Sequence, residues 1–326
     1  MRIIETISDI EKIKPGCVLT IGNFDGVHLG HQEILAAAGQ IAAQKKTELV
    51  AMTFEPHPLI VLRPQKAPGI LTPLVLKKYL LAGFAVDCLL VLKSTSELLN
   101  QRAEDFVHQF LLERIRPAVV VEGRDFNFGL NRQGSVKTFR KFADNNGFEV
   151  IVVEPKEVKL YDGKMVRVSS TIIRNMLEEG NVTDAAIALS RPYRLIGKVV
   201  PGFGKGKKLG FPTANLKPAQ QLIPAEGVYA GLAAIADGEK EICKAKEKSP
   251  SAFSIGSAKT YGDHPLLVEA HLLKDNVGNL TGRWLAMDFI EKIRSQQKFD
   301  TEKELSAQIA KDCGKAKSIL QSPECQ

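Results

Sequence analysis

The stretch of residues 20–31 constrains this chain more than any other part of the sequence. It reads Thr-Ile-Gly-Asn-Phe-Asp-Gly-Val-His-Leu-Gly-His. An apolar run that includes Val18 and Ile21 ends in a turn that contains two glycines, and a helical pattern of apolar residues begins at His28. The sequence therefore predicts a strand, a glycine loop and a helix, with two histidines in the first turn of the helix.

His28 and His31 are three residues apart, so they share one face of the predicted helix. Gly30 between them leaves room for a ligand to approach the backbone. A helix N-terminus offers N–H groups and partial positive charge to a phosphate, and two imidazoles beside it can stabilise a phosphoryl group under attack. The alternative is a glycine turn followed by two solvated histidines, and the strand and loop before them favour the phosphate site.

Short apolar runs alternate with helical patterns through the first half of the chain. The predicted strands are residues 49–54, 88–92, 119–121 and 150–153, and the clearest helix is residues 103–115. Nearly continuous apolar runs are typical of parallel strands that are buried on both faces. We therefore expect a doubly wound α/β sheet with its ligands at the carboxyl ends of the strands.

The pattern changes near residue 190, which we take as the boundary between a domain at 1–190 and a domain at 191–326. The predicted strands beyond it are residues 195–200, 228–235, 252–255, 266–273 and 284–290, followed by a helix at 302–320. Short strands without helices between them predict a small antiparallel β-barrel, on which the terminal helix packs.

Composition narrows the function classes. The 326 residues carry a net charge of +7, which suits phosphate-bearing ligands. Without an arginine-rich run or a zinc-finger spacing, a nucleic-acid partner is disfavoured, and no apolar run reaches membrane-spanning length. The five cysteines are far apart and contain no C-x-x-C, which predicts reduced thiols in a cytoplasmic protein. The sequence gives no oligomeric state.

The segment at 22–31, G-N-F-D-G-V-H-x-G-H, resembles the HxGH nucleotidyltransferases, and most of all the bacterial bifunctional riboflavin kinase/FAD synthetases. In that family a Rossmann-like N-terminal module joins AMP from ATP to FMN. Two further segments match, T-F-x-P-H-P at 53–58 and G-x-D-F-x-F-G at 123–129. The resemblance implies catalytic roles for His28 and His31. It implies nucleotide contacts from Gly22, Asn23, Phe24, Asp25, Gly26 and Gly30, and flavin contacts from Phe54, Asp125, Phe126, Asn127 and Phe128.

Each flavin contact has a simpler alternative. The segment at 53–58 is also what a proline-terminated strand looks like. Phe126 and Phe128 need a covering surface, which a flavin or a neighbouring loop would supply equally well.

Residues 169–174 read Ser-Ser-Thr-Ile-Ile-Arg and match the family motif S-S-T-x-I-R. Hydroxyls at this place ordinarily cap a helix. Arg174 lies on the same helical face as Thr171, however, and hydroxyls, N–H groups and a guanidinium together suit a triphosphate. The resemblance implies that Ser169, Ser170, Thr171 and Arg174 bind ATP phosphates opposite the histidines.

A glycine- and lysine-rich loop at 202–210 precedes Phe-Pro-Thr-Ala-Asn at 211–215. Alone, it is typical of a solvent-exposed hairpin loop, and it lacks the Walker spacing. The G-F-P-T-A-N segment resembles the riboflavin kinase signature. The resemblance implies nucleotide contacts from Gly204, Lys207 and Gly210, and Mg²⁺ ligation by Thr213 and Asn215 with ATP phosphates.

A kinase that acts on an alcohol needs a base. Glu269 stands in the apolar run 266–273, where it either points outward or serves a site in the barrel. The family places its base in a matching E-x-H-L-L segment, in which His271 shares the face of Glu269. Arg294 matches the arginine of L-R-x-x-x-x-F, which implies a flavin or nucleotide contact, and an exposed arginine is the simpler alternative.

The chain departs from the family on the flavin side of the kinase. Ala258 and Lys259 stand where the family has an arginine and a proline, and Lys274 and Thr281 stand where it has an acidic residue and a tyrosine. These changes predict weaker riboflavin binding with the chemistry retained.

We therefore expect a two-domain enzyme that takes ATP, riboflavin and FMN as substrates and requires Mg²⁺. The alternatives are a cytidylyltransferase-like enzyme with a non-catalytic or regulatory barrel, a class I aminoacyl-tRNA synthetase, which lacks its K-M-S-K-S here, and a basic regulatory or RNA-binding protein.

Overall fold

The computed structural model describes residues 1–202, 205–257, 266–274 and 277–322. By its contacts the chain divides into two compact units, Met1–Glu157 and Val158–Gln326. Residues 158–190 thus group with the second unit, and the predicted domain boundary after residue 190 stays a prediction.

The first unit contains a six-stranded sheet with the order β1-β4-β3-β2-β5-β8, in which neighbouring strands are parallel. A separate two-stranded sheet pairs β6 with β7. The strands are β1 (Arg2–Ile4), β2 (Val18–Ile21), β3 (Leu49–Glu55), β4 (Cys88–Lys93), β5 (Val119–Gly123), β6 (Asn127–Phe128), β7 (Gly134–Ser135) and β8 (Glu149–Val153).

The helices of this unit are α1 (Leu29–Lys45), α2 (Pro58–Leu62), α3 (Leu74–Leu81), α4 (Ser96–Leu99), α5 (Ala103–Phe106) and α6 (Val136–Asn146). Short 3-10 turns occupy Ser8–Lys12, Pro64–Lys66 and Leu130–Arg132. The predicted helix at 103–115 exists, but it is π-helical over Val107–Ile115. Sequence periodicity does not separate these two helix types over so short a span.

Helices cover both faces of the sheet. Leu35 of α1 and Leu81 of α3 pack with Leu49 and Val119 in one buried apolar cluster. Phe139 of α6 packs in the other cluster, with residues from the π-helical segment and the opposite face of the strands. The predicted doubly wound α/β fold is confirmed.

The order of the strands reverses between β2 and β5. From β2 the chain runs outward to β3 and β4, and it returns to form β5 and β8 on the other side. Backbone pairing between β2 and β5 is limited to Val18 with Val119 and Leu19 with Val120. The carboxyl ends of these two strands are therefore separate, and in doubly wound sheets ligands bind at such a switch point.

The second unit contains a closed barrel with the strand order β11-β12-β15-β14-β13-β16, and the adjacent pairs are antiparallel. A hairpin of β9 and β10 precedes it. The strands are β9 (Glu157–Lys159), β10 (Met165–Arg167), β11 (Tyr193–Val200), β12 (Ala214–Pro218), β13 (Gly227–Ala236), β14 (Ser249–Ser257), β15 (Leu266–Leu272) and β16 (Trp284–Arg294). The predicted barrel is confirmed, with β12 as the strand that sequence analysis missed.

The helices of the second unit are α7 (Ser170–Glu179), α8 (Val182–Leu189), α9 (Lys205–Lys208), α10 (Glu239–Lys244) and α11 (Glu302–Leu320). α11 packs on the barrel through Cys313 and Ala316, which contact Ala230 and Ala252. The predicted terminal helix is therefore confirmed.

Helix α8 also packs on the barrel. The hydroxyl of Thr183 donates to the carbonyl of Ile290 on β16, and the apolar side chains of Val182, Ala185 and Leu189 are buried. These contacts explain why residues 158–190 group with the second unit.

Two further observations concern the described part of the chain. Cys17, Cys88, Cys243 and Cys313 are buried free thiols, as predicted, while Cys325 lies outside the described residues. No helix there is long and apolar enough to cross a membrane.

We predict that a fragment of residues 191–326 is less stable than a fragment of residues 158–326. The shorter fragment loses the buried face of α8, and burial of one large apolar side chain contributes about 1.5–3 kcal/mol. Its melting temperature should therefore be lower by at least about 5 °C, measured by circular dichroism. Equal melting temperatures would show that α7 and α8 do not stabilise the barrel.

Candidate active sites

The loop of residues 22–27 leaves β2 in a conformation that few side chains adopt. Phe24 and Val27 have φ angles of 45° and 41°, and Gly26 has a φ of 89°. Positive φ is strained for a β-branched residue such as Val27. The surrounding structure must therefore hold this loop in place.

Asp25 provides that hold. Its carboxylate is buried and accepts hydrogen bonds from the N–H groups of Leu71 and Thr72, each at 2.9 Å. The Thr72 hydroxyl donates to Asp25 at 3.3 Å and accepts from the N–H of Gly26 at 3.0 Å. Asp25 thus anchors the loop to residues 71–72, and its predicted contact with nucleotide stays a prediction.

His28 is the N-cap of α1 instead of a member of its first turn. Its backbone is extended, and its Nδ1 accepts a hydrogen bond from the N–H of His31 at 3.3 Å. The two rings are stacked, with centroids 3.6 Å apart and planes 17° apart. The imidazoles therefore share one face, as their spacing predicts. With Nδ1 as the acceptor, the neutral ring of His28 carries its proton on Nε2, which is then a hydrogen-bond donor.

Thr53 of β3 and His57, which follows the strand, support the loop. The hydroxyl of Thr53 donates to the carbonyl of Asn23 at 3.3 Å, and the amide of Asn23 lies 3.3 Å from Nε2 of His57. His57 caps α2 through its Nδ1. His57 is a residue that sequence analysis missed, although the T-F-x-P-H-P segment contains it.

Lys77 of α3 is a buried cation that sequence analysis missed. Burial lowers the pKa of Lys77, and the carboxylates of Asp25 and Glu55 oppose that shift. Burial also raises the pKa of Glu55. A lysine in the apolar pattern of α3 gives no sign in the sequence that it faces two carboxylates.

The aromatic residues of the 123–129 segment pack on the protein itself. Phe126 and Phe128 stack with each other and with Phe139 of α6, at centroid distances of 4.5–5.7 Å. Asp125 and Asn127 are exposed. The structure thus shows the alternative, in which the protein itself covers these rings. Flavin contact by this segment and by Phe54 stays a prediction.

The Ser-Ser-Thr segment begins α7, as its capping pattern indicates. The hydroxyl of Ser169 accepts a hydrogen bond from the N–H of Ile172 at 3.3 Å, and Arg174 is buried on the same helix. This segment belongs to the second unit. Its contact with phosphates held by the histidines of the first unit stays a prediction.

In the barrel, the structure brings together the predicted metal ligands and the predicted base. Asn215 of β12 is directly opposite Glu269 of β15. The hydroxyl of Thr213 donates to Oε1 of Glu269 at 3.1 Å. Burial raises the pKa of Glu269, and the hydrogen bond from Thr213 opposes the shift. Two neutral oxygen groups and a half-buried carboxyl group are therefore neighbours in this part of the barrel.

His271 fixes the backbone next to this place. Its Nδ1 lies 2.8 Å from the carbonyl oxygen of Pro212. Its ring and the ring of Phe211 form a T-shaped pair with centroids 5.6 Å apart. Both residues immediately precede Thr213, so His271 helps to orient the Thr213 hydroxyl.

Glycines allow the preceding loop to pass close to these residues. A Cβ at Gly202 would lie 1.9 Å from the Asn215 amide nitrogen, and a Cβ at Gly206 would lie 2.4 Å from the carbonyl of Phe211. Lys207 belongs to the short helix α9, and Gly210 follows with a φ of 85°. Gly204 lies outside the described residues, so these three nucleotide contacts stay predictions.

A cavity of about 440 Å³ opens beside Thr213 and Glu269. It is lined by residues of the barrel, of the segment after β16 and of α11, including Phe253, Phe299 and Leu305. This volume is within the usual range for small-molecule sites, roughly 300–1,000 Å³.

Arg294 lines this cavity, but its guanidinium is engaged with Asp312. Nε and Nη2 donate to the Asp312 carboxylate at distances down to 2.7 Å, and Gln308 donates to the same carboxylate. Arg294 is therefore not the exposed arginine of the simpler alternative. It ties β16 to α11, and its predicted flavin contact stays a prediction.

The segments that depart from the family are only partly described. Ser257 bonds to Glu226 through its N–H and hydroxyl, whereas Ala258 and Lys259 lie outside the described residues. Lys274 and Thr281 are exposed.

Known proteins match both units. A family model described as FAD synthetase matches residues 10–172, and one described as riboflavin kinase matches residues 189–320. The bifunctional riboflavin kinase/FMN adenylyltransferase of Escherichia coli (strain K12) is 34% identical over 313 residues, which cover 96% of each chain. The protein of the same name from Haemophilus influenzae is 33% identical over 322 residues, covering 99% of this chain and 100% of that one.

A solved structure matches as well. The crystal structure of a protein described as a macrolide-efflux protein from Streptococcus pneumoniae has a TM-score of 0.82 and 27% identity, over 97% of this chain and 99% of that one. The efflux description belongs to that protein, and the two chains share a fold.

We predict that Thr213→Val raises the pKa of Glu269 further, because it removes the hydrogen bond that opposes the effect of burial. Thr213→Ser, which keeps the hydroxyl, is the matched control and should leave the pKa unchanged. Carbon-13 NMR titration of the Glu269 carboxyl measures both. A pKa that falls or stays the same in Thr213→Val would contradict the hydrogen bond.

Proposed function

Because this chain belongs to the bifunctional riboflavin kinase/FMN adenylyltransferase family, we propose that its two activities are carried by two separate sites. The chain phosphorylates riboflavin with ATP to form FMN, and it transfers AMP from ATP to FMN to form FAD and pyrophosphate. We assign the second step to the histidine site and the first to the barrel. One observation carries this assignment, namely that each unit has its own cluster of phosphate-directed groups.

In the adenylyl transfer, a phosphate oxygen of FMN attacks the α-phosphorus of ATP. A new P–O bond forms as the bond between the α-phosphorus and the bridging oxygen breaks, and pyrophosphate leaves with the electron pair. Direct transfer needs positioning and charge stabilisation and no enzyme nucleophile. His28, through Nε2–H, His31 and the N-terminus of α1 stabilise the developing charge.

The remaining predicted residues of the first site bind substrates. Gly22, Asn23, Phe24, Gly26 and Gly30 shape the loop around the nucleotide, and Asp25 fixes that loop. Phe54, Asp125, Phe126, Asn127 and Phe128 hold the flavin. For Ser169, Ser170, Thr171 and Arg174, the family resemblance supports binding of ATP phosphates.

In the kinase reaction, Glu269 accepts the proton of the primary hydroxyl of riboflavin while that oxygen attacks the γ-phosphorus and ADP leaves. Burial raises the pKa of Glu269, which makes its carboxylate a stronger base. The hydrogen bond from Thr213 orients the carboxyl. The cavity beside it accommodates the flavin ring, and Gly204, Lys207 and Gly210 contact the nucleotide.

The donor groups fit a magnesium ion that arrives with ATP. Thr213 and Asn215 offer neutral oxygens, and the described residues contain no group of three or more His, Cys, Asp or Glu that could hold a metal ion by itself. Mg²⁺ usually keeps several waters and binds through one or two protein groups plus phosphates. When bound, the ion neutralises charge on the phosphates.

A barrel without catalytic function is the alternative. The half-buried Glu269 disfavours it. This carboxyl lines the cavity beside the Thr213 hydroxyl, and a merely structural barrel gains nothing from removing an ionisable group from water in part.

We predict that His28→Ala and His31→Ala each reduce FAD formation from FMN by about 10²–10³-fold, the usual effect of losing one charge-stabilising donor. Formation of FMN from riboflavin should not change. His108→Ala, at an exposed histidine of the same unit, is the matched control and should leave both rates unchanged. Chromatographic separation of the flavins measures both activities. An unchanged FAD rate in both variants would refute the role of the pair.

The converse holds for the barrel. Thr213→Ala and Asn215→Ala should lower the rate of riboflavin phosphorylation by about 10²-fold or more, because phosphate positioning is lost. Both variants should still convert supplied FMN to FAD at the wild-type rate. Loss of both activities in a folded variant would contradict two separate sites.

A further inference from the structure

Glu122 of β5 is a buried carboxyl group at the point where β2 and β5 separate. It is 2% exposed, and its Oε1 accepts a hydrogen bond from the N–H of Ile21 at 2.6 Å. It lies outside the loop motif and outside the aromatic segment that follows β5. It nevertheless contacts the residue that comes directly before Gly22, where the loop to His28 begins.

This hydrogen bond stands in for a missing backbone bond of the sheet. The N–H of Gly22 bonds to the carbonyl of Met52 on β3, so the N–H of Ile21 points to the other side, toward β5. Pairing between β2 and β5 has already ended at Leu19. A buried N–H needs a partner, and the side chain of Glu122 provides the oxygen that the β5 backbone does not.

Strands β2 and β5 separate only at the switch point. β2 remains paired with β3 as far as Ile21, and β5 remains paired with β8 as far as Gly123. The two halves of the sheet are thus intact, and they diverge only where a doubly wound sheet binds its ligands. The side chain of Glu122 spans that gap.

We propose that Glu122 is a positioning residue of the adenylyltransferase site, which holds the end of β2, and with it the loop to His28, at a fixed separation from β5. The inference rests on the function proposed for the first unit. Glu122 acts through Ile21 on the position of the histidine pair and does not itself need to contact substrate.

Burial favours the neutral form of this carboxyl group. Burial raises the pKa of Glu122 well above its ordinary value, and the hydrogen bond from Ile21 opposes the shift. Among the described residues no charged side chain contributes to this shift of the Glu122 pKa. His28 and His31 are the titratable groups at the start of α1. The charged pairs on α1, on β8 and beyond the strand ends are Lys45 with Glu149, Lys156 with Glu33 and Arg124 with Glu154.

Two substitutions distinguish the hydrogen bond to Ile21 from an effect of the negative charge that Glu122 could carry. Glu122→Gln keeps an acceptor oxygen at the same reach and cannot ionise. Glu122→Asp keeps a carboxyl but is one methylene shorter, so it no longer reaches the N–H of Ile21. At pH 7 we expect Glu122→Gln to retain the wild-type kcat for FAD formation. We expect Glu122→Asp to lose about 10²-fold in kcat, with a smaller change in KM, as small misplacements of catalytic groups do.

The kinase provides an internal control in the same molecules. FMN formation from riboflavin should be unchanged in both variants, which shows that the protein is intact. The inference is overturned if Glu122→Asp makes FAD as fast as the wild type, or if Glu122→Gln is as damaged as Glu122→Asp.

The pH dependence gives a second readout. The wild-type carboxyl group of Glu122 has a proton to lose as the pH rises, and the amide in Glu122→Gln has none. The folded state keeps this proton at pH values where the unfolded chain has lost it. The stability of the wild type therefore decreases as the pH rises from the ordinary carboxyl pKa to the raised one.

Melting curves at pH 5 and pH 8 measure that decrease without an assay. We expect the melting temperature of the wild type to fall relative to that of Glu122→Gln between these two pH values. If the difference between the two melting temperatures is the same at both pH values, the Glu122 carboxyl group does not lose a proton in this range, and its raised pKa is refuted. If the wild type makes no FAD from FMN, the proposed function is refuted instead. The melting curves would then still show whether the Glu122 carboxyl group loses its proton between pH 5 and pH 8.

Discussion

The first site depends on the hydrogen bonds by which the Asp25 carboxylate anchors the loop of residues 22–27. Positive φ at Phe24 and Val27 destabilises the loop by on the order of 1–3 kcal/mol for each residue. Hydrogen bonds to a charged group contribute about 1.5–3 kcal/mol each, and Asp25 accepts such bonds from Leu71 and Thr72. The free energy contributed by these hydrogen bonds is therefore comparable to the cost of the strained backbone, so Asp25 can keep the loop in place. The histidine cap of α1 follows this loop directly, so its position depends on the loop.

The second site depends on strand register. Asn215 faces Glu269 because β12 and β15 are antiparallel neighbours in a closed barrel. A slip of one residue in that pairing would turn each side chain to the other face of the strand. Closure of the barrel fixes the register, and Gly202 and Gly206 let the loop before Thr213 come within contact distance of it. The two sites thus use different physical means, an anchored loop in the sheet unit and a fixed register in the barrel.

Much of this arrangement could be predicted from the sequence, because continuous apolar runs and glycine turns are local signals. The runs at 49–54 and 88–92 fall within β3 and β4, and the helix at 302–320 has the bounds of α11. β12 was missed because Asn-Leu-Lys-Pro has no apolar run. The burial of Lys77 and the partner of Arg294 depend on packing between distant segments, which one sequence does not encode as a local pattern. The internal stack of Phe126 and Phe128 is of the same kind.

The account makes FMN both the product of one site and the substrate of the other, and one time course tests this directly. Purified protein is incubated with riboflavin, ATP and magnesium, and the flavins are separated chromatographically at intervals. We predict that FMN rises first and then falls as FAD accumulates, with one ATP consumed in each step. If neither flavin forms, or if FMN forms and supplied FMN is never converted to FAD, the assignment of two sequential activities to this chain is wrong.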